Sequence, residues 1–456
     1  MFFRKGTASG GWPIQARLGG LSGPGVGVES AAQHSQFRAT LWHNDRDQIP
    51  QRYTTWPLSS PGYNRFVGSL RRVYFDNNAT TPVLPEVLEA MRPYFNERFG
   101  NASSIHHHGQ ETRAAVERAR ESLAALLGCR ASEIVFTSGG TEADNLAIFG
   151  LLKSGDHLIT STVEHHAVLN SGKRLQEMGS EVTYVPVDGR GLVDPGDVRR
   201  ALRPNTRLIT IMMANNETGV LQPVEEIGRI AAEADVYFHT DAVQAAGKMA
   251  IDVKRMACDL LSISGHKMHA PQGIGALYVR KGTLLKPLLY GGSHERSRRA
   301  GTENVPAIVA LGKAAEMAQR GLSDGSVRQL GVLRDRLQAG VLEAVNSANV
   351  NGGDAPRVPN TTNIYFDYIE GEALVIALDL KGLAVSTGAA CSSGAIEPSH
   401  VLTAMGLRPE RARASIRFSL GKQNTAEEVE LALSLVPAAV ARLRELSPAT
   451  PAIAVS

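Results

Sequence analysis

The residues with the clearest chemical potential follow the strand-like run Leu260–Ser264, which ends in Gly265-His266-Lys267. One lysine is delivered inside a turn at a strand end, with the Ser264 hydroxyl and the His266 imidazole beside it. A lysine desolvated in such a place loses proton affinity and acts as an amine nucleophile, typically holding an aldehyde as a Schiff base. Alone, the pattern also fits a surface lysine after a buried strand.

Other stretches carry complementary chemistry. Ile134–Thr137 runs into Ser138-Gly139-Gly140-Thr141, a strand, a glycine-rich turn and a helix start. Free backbone N–H groups and the helix dipole make this an anion site, with Thr141 adding a hydroxyl. A tight turn with a capping threonine is the alternative. The spacing is that of neither a P-loop nor a dinucleotide fingerprint. Asp241 ends the strand-like Val236–His239 segment, where a carboxylate pairs with a protonated ring nitrogen or caps a helix. Asn215-Asn216-Glu217 forms a further polar strand end, and Glu164-His165-His166 follows the run Leu158–Thr160. An imidazole there stacks on a flat ligand, shuttles a proton, or caps a helix. A phosphate cradle, a ring-nitrogen carboxylate, a strand-end lysine and a stacking histidine are the parts of a pyridoxal phosphate site.

The three cysteines divide by context. Cys129 and Cys258 read as small buried hydrophobes. Cys391 stands in Ser386-Thr387-Gly388-Ala389-Ala390-Cys391-Ser392-Ser393-Gly394, where small neighbours imply an exposed loop and a reactive thiol. Histidine and cysteine spacings suit no intrinsic metal site.

The elements that must position these groups alternate. Strand-like runs at Ile134–Thr137, Leu158–Thr160, Val182–Val187, Leu208–Met213, Val236–His239, Leu260–Ser264 and Gly275–Val279 are separated by segments of helical spacing such as Thr141–Leu152 and Val224–Ala234. Helices are also expected over Leu84–Arg98 and Gln110–Leu127. This predicts an α/β fold with a mostly parallel sheet covered on both faces, binding ligands at the carboxyl ends of its strands. After a helical connector over Pro306–Val345, the pattern restarts as a smaller α/β unit. Four segments are expected: a poorly ordered basic extension (1–72), a large domain (73–320), a small domain carrying the Cys391 loop (321–446) and a tail (447–456).

The chain has 456 residues, 43% of them hydrophobic and 20% charged, as in a soluble globular protein with room for two domains. No apolar run is long enough to span a membrane as a helix. Nine basic residues (Arg4, Lys5, Arg17, Arg38, Arg46, Arg52, Arg65, Arg71, Arg72) precede Val73 against Glu29, Asp45 and Asp47, so the net +3 resides in the extension. The remaining body is net acidic and lacks the bulk charge that nucleic acid requires. Sparse cysteines and the lack of a signal-peptide core point to the cytoplasm, or to mitochondria if the basic extension is a transit peptide. A lineage-specific tail or sequence upstream of the true start are the other readings of that extension.

The chain resembles cysteine desulfurases of the nitrogen-fixation/iron–sulfur-assembly type, within the class V, fold type I pyridoxal phosphate enzymes. The matching stretches are Tyr74–Thr81, Ser138–Asn145, Asn215–Gly219, His239–Gln244, Ser264–Lys267, Gly291–Asn304, Ser386–Gly394 and Ile416–Ser419. The resemblance implies that Lys267 carries the cofactor as an internal aldimine, Asp241 pairs with the pyridine nitrogen and His165 stacks on the ring. Gln244 and Asn216 contact the O3′ side. Gly140, Thr141, Ser264 and His266 hold the phosphate, joined by Thr302 from the partner subunit of a homodimer. Arg417, assisted by Asn216, binds the carboxylate of L-cysteine, and Cys391 takes its sulfur as a persulfide, leaving L-alanine. The implied acceptor is a protein such as an iron–sulfur scaffold, with which Cys391 transiently ligates a cluster. Gln272 stands where relatives usually have lysine, and the chain stops soon after Leu446, short of the longer tail of housekeeping members.

Overall fold

A computed structural model describes residues 72–388 and 398–446. The expected disorder of the basic extension, the Cys391 loop and the tail concerns residues outside those described, apart from residue 72 and Ser386–Gly388.

In chain order the strands are β1 (Val73–Tyr74), β2 (Ile134–Thr137), β3 (His157–Ser161), β4 (Glu181–Val185), β5 (Thr206–Thr210), β6 (Tyr237–Asp241), β7 (Leu260–Ser264), β8 (Gly275–Val279), β9 (Ala348–Val350), β10 (Thr361–Phe366), β11 (Leu383–Ala384) and β12 (Ser415–Ser419). The expected strands are all present, three of them (β2, β7 and β8) with unchanged bounds. The main sheet has the order β2-β8-β7-β6-β5-β3-β4. Pairing is parallel from β7 through β6, β5 and β3 to β4, while β8 runs antiparallel to both neighbours. Residues of β2, β3, β7 and β8 are buried throughout, as a sheet covered on both faces requires.

Two expected helices break for local reasons. Leu84–Arg98 becomes an α-helix over Pro85–Met91 and a 3₁₀ turn over Arg92–Phe95, because Pro93 lacks the N–H that would continue the ladder. The connector after Pro306 becomes two helices, Val305–Ser323 and Ser326–Ala344, separated at Gly325, whose φ of 86° lies in the left-handed region.

Among the described residues two large apolar cores form, with three smaller clusters besides. The larger joins the main sheet to helices His107–Leu127 and Val305–Ser323. The second packs β10 and β12 against helices Ser326–Ala344, Gly371–Asp379 and Ala426–Leu446. Val73 and Phe75 also lie in this second core, because β1 pairs in parallel with β11. The first ordered residues are therefore fastened to late ones, and the chain then crosses to the main sheet through Asp76–Thr81. Asn77 marks that crossing: its backbone N–H donates to the Ser419 carbonyl at 3.0 Å. Among the described residues no helix is long and apolar enough to cross a membrane.

Candidate active site

The carboxyl ends of β2, β3, β5, β6 and β7 open into one cavity of about 530 Å³, within the range of small-molecule sites. It is lined by Gly140, Thr141, His165, Asn216, Asp241, Gln244, Ser264, His266, Lys267 and Arg417. Every proposed site residue is thus on one wall set except Thr302 and Cys391. Thr302 is exposed and does not line the cavity of its own chain, and Cys391 lies outside the described residues.

The glycine-rich turn has the form an anion needs. Helix Gly140–Leu151 begins without a side-chain cap, so its first N–H groups lack a capping side chain. A Cβ on Gly140 would stand 2.8 Å from the Val243 side chain and 3.5 Å from Ser264 Cβ, and one on Gly275 would meet Gly139 Cα at 2.7 Å. Backbone at this turn therefore approaches the Val243 side chain and β8 more closely than an added Cβ would permit. Thr141 is exposed beside it. The acid of the first turn, Glu142, is turned away: it accepts from Ser138 N at 2.7 Å and pairs with Arg299 at 2.9 Å. This cradle and its donors fit a phosphate.

Behind the cradle, burial governs protonation. Asp241 accepts from Val243 N at 2.8 Å, and burial raises its pKa to about 6, against the lowering effects of that hydrogen bond and of Lys267. Asp144, which also lines the cavity, is raised well above its ordinary value by burial and then by the Asp241 charge. His239 contacts Thr210 Oγ1 at 2.7 Å and Ser262 Oγ at 2.9 Å, and burial lowers its pKa to about 3. Burial thus disfavours charge on both partners of the 3.7 Å Asp144–His239 approach. Glu164, held by Ser161 Oγ at 2.6 Å and by Met212 N, is raised to about 8 by burial. Asp241 is the carboxyl of this group that lines the cavity with a lysine nearby, which fits it to a cationic ring nitrogen.

His165 meets the capping reading of the sequence. It is the N-cap of helix His166–Glu177, with Nδ1 accepting from Ala167 N at 3.1 Å, and its ring also lines the cavity. Burial, then the charges of Lys267, His166 and His400, lower its pKa to about 4. The ring is neutral, and the cap assigns its proton to Nε2.

Lys267 lies in a 3₁₀ turn after β7, and its Nζ donates to the Asn78 and Ala79 carbonyls, both at 2.6 Å. Arg417, buried in β12, pairs with Asp76 at 2.6 Å and donates to the Asn216 carbonyl at 3.0 Å. Its buried Nε has no acceptor among the described residues. A buried guanidinium with an N–H to spare fits a carboxylate ligand.

Three contributors were not foreseen. Asn78 joins the lysine, Gln244 and the Arg417 support, donating to the Asn216 carbonyl at 3.1 Å and to Thr361 Oγ1 at 2.9 Å. Asp76 holds Arg417, and Lys248 stands behind Gln244. For Lys248 a signal existed: a single cation within Ala245-Ala246-Gly247-Lys248-Met249-Ala250. Asp76 and Asn78 gave none by type, since polar residues after a strand ordinarily read as a loop.

Comparison with known proteins places this geometry in a lineage. Residues 73–432 match the family model described as aminotransferase class-V. A curated relative, "Cysteine desulfurase IscS" of Methanosarcina thermophila, is 52% identical over 385 residues, covering 84% of this chain and 95% of the relative. A solved structure titled "NIFS-LIKE PROTEIN" superposes with a TM-score of 0.76 at 39% identity, covering 82% of this chain and all of that one (100%). Another, titled "SspA in complex with cysteine", gives a TM-score of 0.69 at 41% identity, covering 77% and 99%.

Proposed function

The chain belongs to the class-V aminotransferase family, and on that premise we propose that it is a pyridoxal phosphate-dependent cysteine desulfurase. The fold is the expected fold type I arrangement. The observation that carries the reading is the convergence of Lys267, Asp241, His165, the Gly140–Thr141 turn and Arg417 on one cavity. Relatives named for this activity, and one titled as binding cysteine, support the substrate.

Lys267 would hold pyridoxal phosphate, and the group, when bound, would supply an electron sink for breaking the carbon–sulfur bond of L-cysteine. The chain's residues do the rest. Gly140, Thr141, Ser264 and His266 hold the phosphate, and Asp241 holds the ring nitrogen. Neutral His165 covers the ring without adding a competing charge. Gln244 and Asn216 face the O3′ side. Arg417 fixes the substrate carboxylate, with Asn216 assisting. Cys391, as a thiolate, would attack the substrate sulfur: a sulfur–sulfur bond would form as the carbon–sulfur bond breaks, the carbon would keep the electron pair and take up a proton to become L-alanine, and the enzyme would hold the persulfide.

A homodimer is part of the proposal. Thr302 is exposed and absent from its own cavity, as expected of a residue lent to a second copy. Leu88, Phe95, Phe99, Ile105, Leu284 and Tyr290 are large apolar side chains left exposed in the single chain, surface of the kind a subunit contact covers. The persulfide acceptor is a protein such as an iron–sulfur scaffold, with which Cys391 transiently shares a cluster.

The test is an absorbance spectrum of the purified protein before and after L-cysteine with a reductant, with sulfide and alanine assayed together. A visible cofactor band and the two products in equal amounts are expected. A band that shifts without sulfide, or Cys391→Ala that releases sulfide as well as wild type, overturns the desulfurase reading in favour of another class-V chemistry.

A further inference from the structure

Lys248 is a buried cation outside the cofactor cavity. It lines a separate, mostly apolar cavity of about 60 Å³ on the far side of Lys267. Its Nζ donates to Gln244 Oε1 at 2.8 Å and to Asn78 Oδ1 at 3.2 Å. Among the described residues it forms no ion pair. Burial, then the charges of Lys267 and Arg417, lower its pKa to about 7. An ammonium placed this way costs stability, so its retention calls for a reason.

The donor inventory supplies one. The ammonium form of lysine donates only, so while Lys248 is protonated the Gln244 amide turns its oxygen towards it. The amide nitrogen then faces the other way, where it donates to the Asn78 carbonyl at 3.1 Å. That carbonyl also accepts from Lys267 Nζ at 2.6 Å. A glutamine amide in isolation is nearly symmetric in shape and turns over readily; this one is held by a donor behind it.

Building on the cofactor site proposed above, we infer that Lys248 is a positioning residue that fixes Gln244 as a hydrogen-bond donor towards the O3′ side of bound pyridoxal phosphate. An oxygen atom of the ring then always meets an N–H rather than a second oxygen. Without Lys248 only the bond from Gln244 Nε2 to the Asn78 carbonyl still favours this orientation, the amide inverts more readily, its oxygen then opposes the ring oxygen, and the proton associated with the cofactor is held more tightly.

The readout is the pH midpoint of the visible band of the reconstituted protein, measured for wild type, K248M, Q244L and the double variant. Lys267, Arg417, His269 and Lys422 surround Lys248, and Glu142, Asp144, Asp241, His165 and His266 line the cofactor side. All are common to the four proteins. In K248M the midpoint moves up by about half a unit or more, a change of roughly threefold in proton affinity. K248R, which keeps a donor, returns it towards wild type. In the double variant the shift equals that of Q244L alone, because Lys248 acts through Gln244. K248A is read in the same way, so the test does not depend on one variant folding. An unmoved midpoint in both K248M and K248A, or additive shifts in the double variant, overturns the inference. A wild-type protein with no visible band after incubation with pyridoxal phosphate overturns the cofactor reading, and this inference with it.

Discussion

The two walls of the cavity are built on opposite electrostatic plans. On the main-sheet side, Asp144, Glu164, His165 and His239 are shifted towards neutrality by burial. On the second-core side, Arg417 is paired with Asp76. The first wall excludes unneeded charge around a flat, polarisable ligand, while the second presents one fixed charge to an anionic group. Desolvation sets the first, and pairing the second. Lys267 sits at the seam, its Nζ bonded to carbonyls of the Asp76–Thr81 crossing segment rather than to the sheet that carries it.

The largest effect expected concerns that seam. Lys267→Ala removes the proposed cofactor attachment and lowers turnover by about four orders of magnitude, or 5–6 kcal/mol. The check is alanine formation from L-cysteine; near-wild-type turnover removes the assignment. Next comes the charged wall. Arg417→Lys keeps the charge and loses the planar fork, which lowers kcat/KM for L-cysteine by about 10- to 100-fold, the worth of one charged hydrogen bond. If lysine serves equally well, a point charge is all that wall provides. Asp76→Asn leaves Arg417 buried without its anion, and thermal unfolding in urea reports a loss of about 1–2 kcal/mol. The loss is smaller than for a fully buried pair because the Asp76 side chain is 18% exposed. An unchanged stability would mean that Asn216 alone suffices to hold the guanidinium.

The same contrast explains what could be read in the sequence. The burying wall was legible because it is local: each strand ends in a short polar motif, and alternation of strand and helix puts those ends on one edge. Lys267, Asp241, His165 and Thr141 follow from that rule with no tertiary information. The pairing wall depends on contacts between residues far apart in the chain. Arg417 meets Asp76 across 341 positions, and β1 reaches the second core only by pairing with β11. Periodicity does not encode such pairings. Lys248 falls between the cases. Its apolar setting was visible, but its partners Gln244 and Asn78 are joined only in the fold. Helix breaks at Pro93 and Gly325 were written in residue type and were smoothed over by reading the hydrophobic pattern alone.

The smallest effect expected is an absence of change, and it bears most directly on the burying wall. Ordinary histidine titrates near 6.5, whereas burial and the Lys267 charge hold His165 near 4. Its ring resonances should therefore stay fixed between about pH 5.5 and about pH 8, while an exposed histidine moves through its midpoint in that window. The linkage has a definite sign. A depressed histidine pKa means that the unfolded chain takes up a proton before the folded one does. The contribution of His165 to stability is complete above about pH 6.5 and is lost as pH falls towards 4. His165→Gln removes that term, so its stability relative to wild type should improve steadily over the same fall. A His165 ring that titrates near 6.5 would place a cation against the cofactor at neutral pH, and the division between a neutral wall and a charged one would no longer hold.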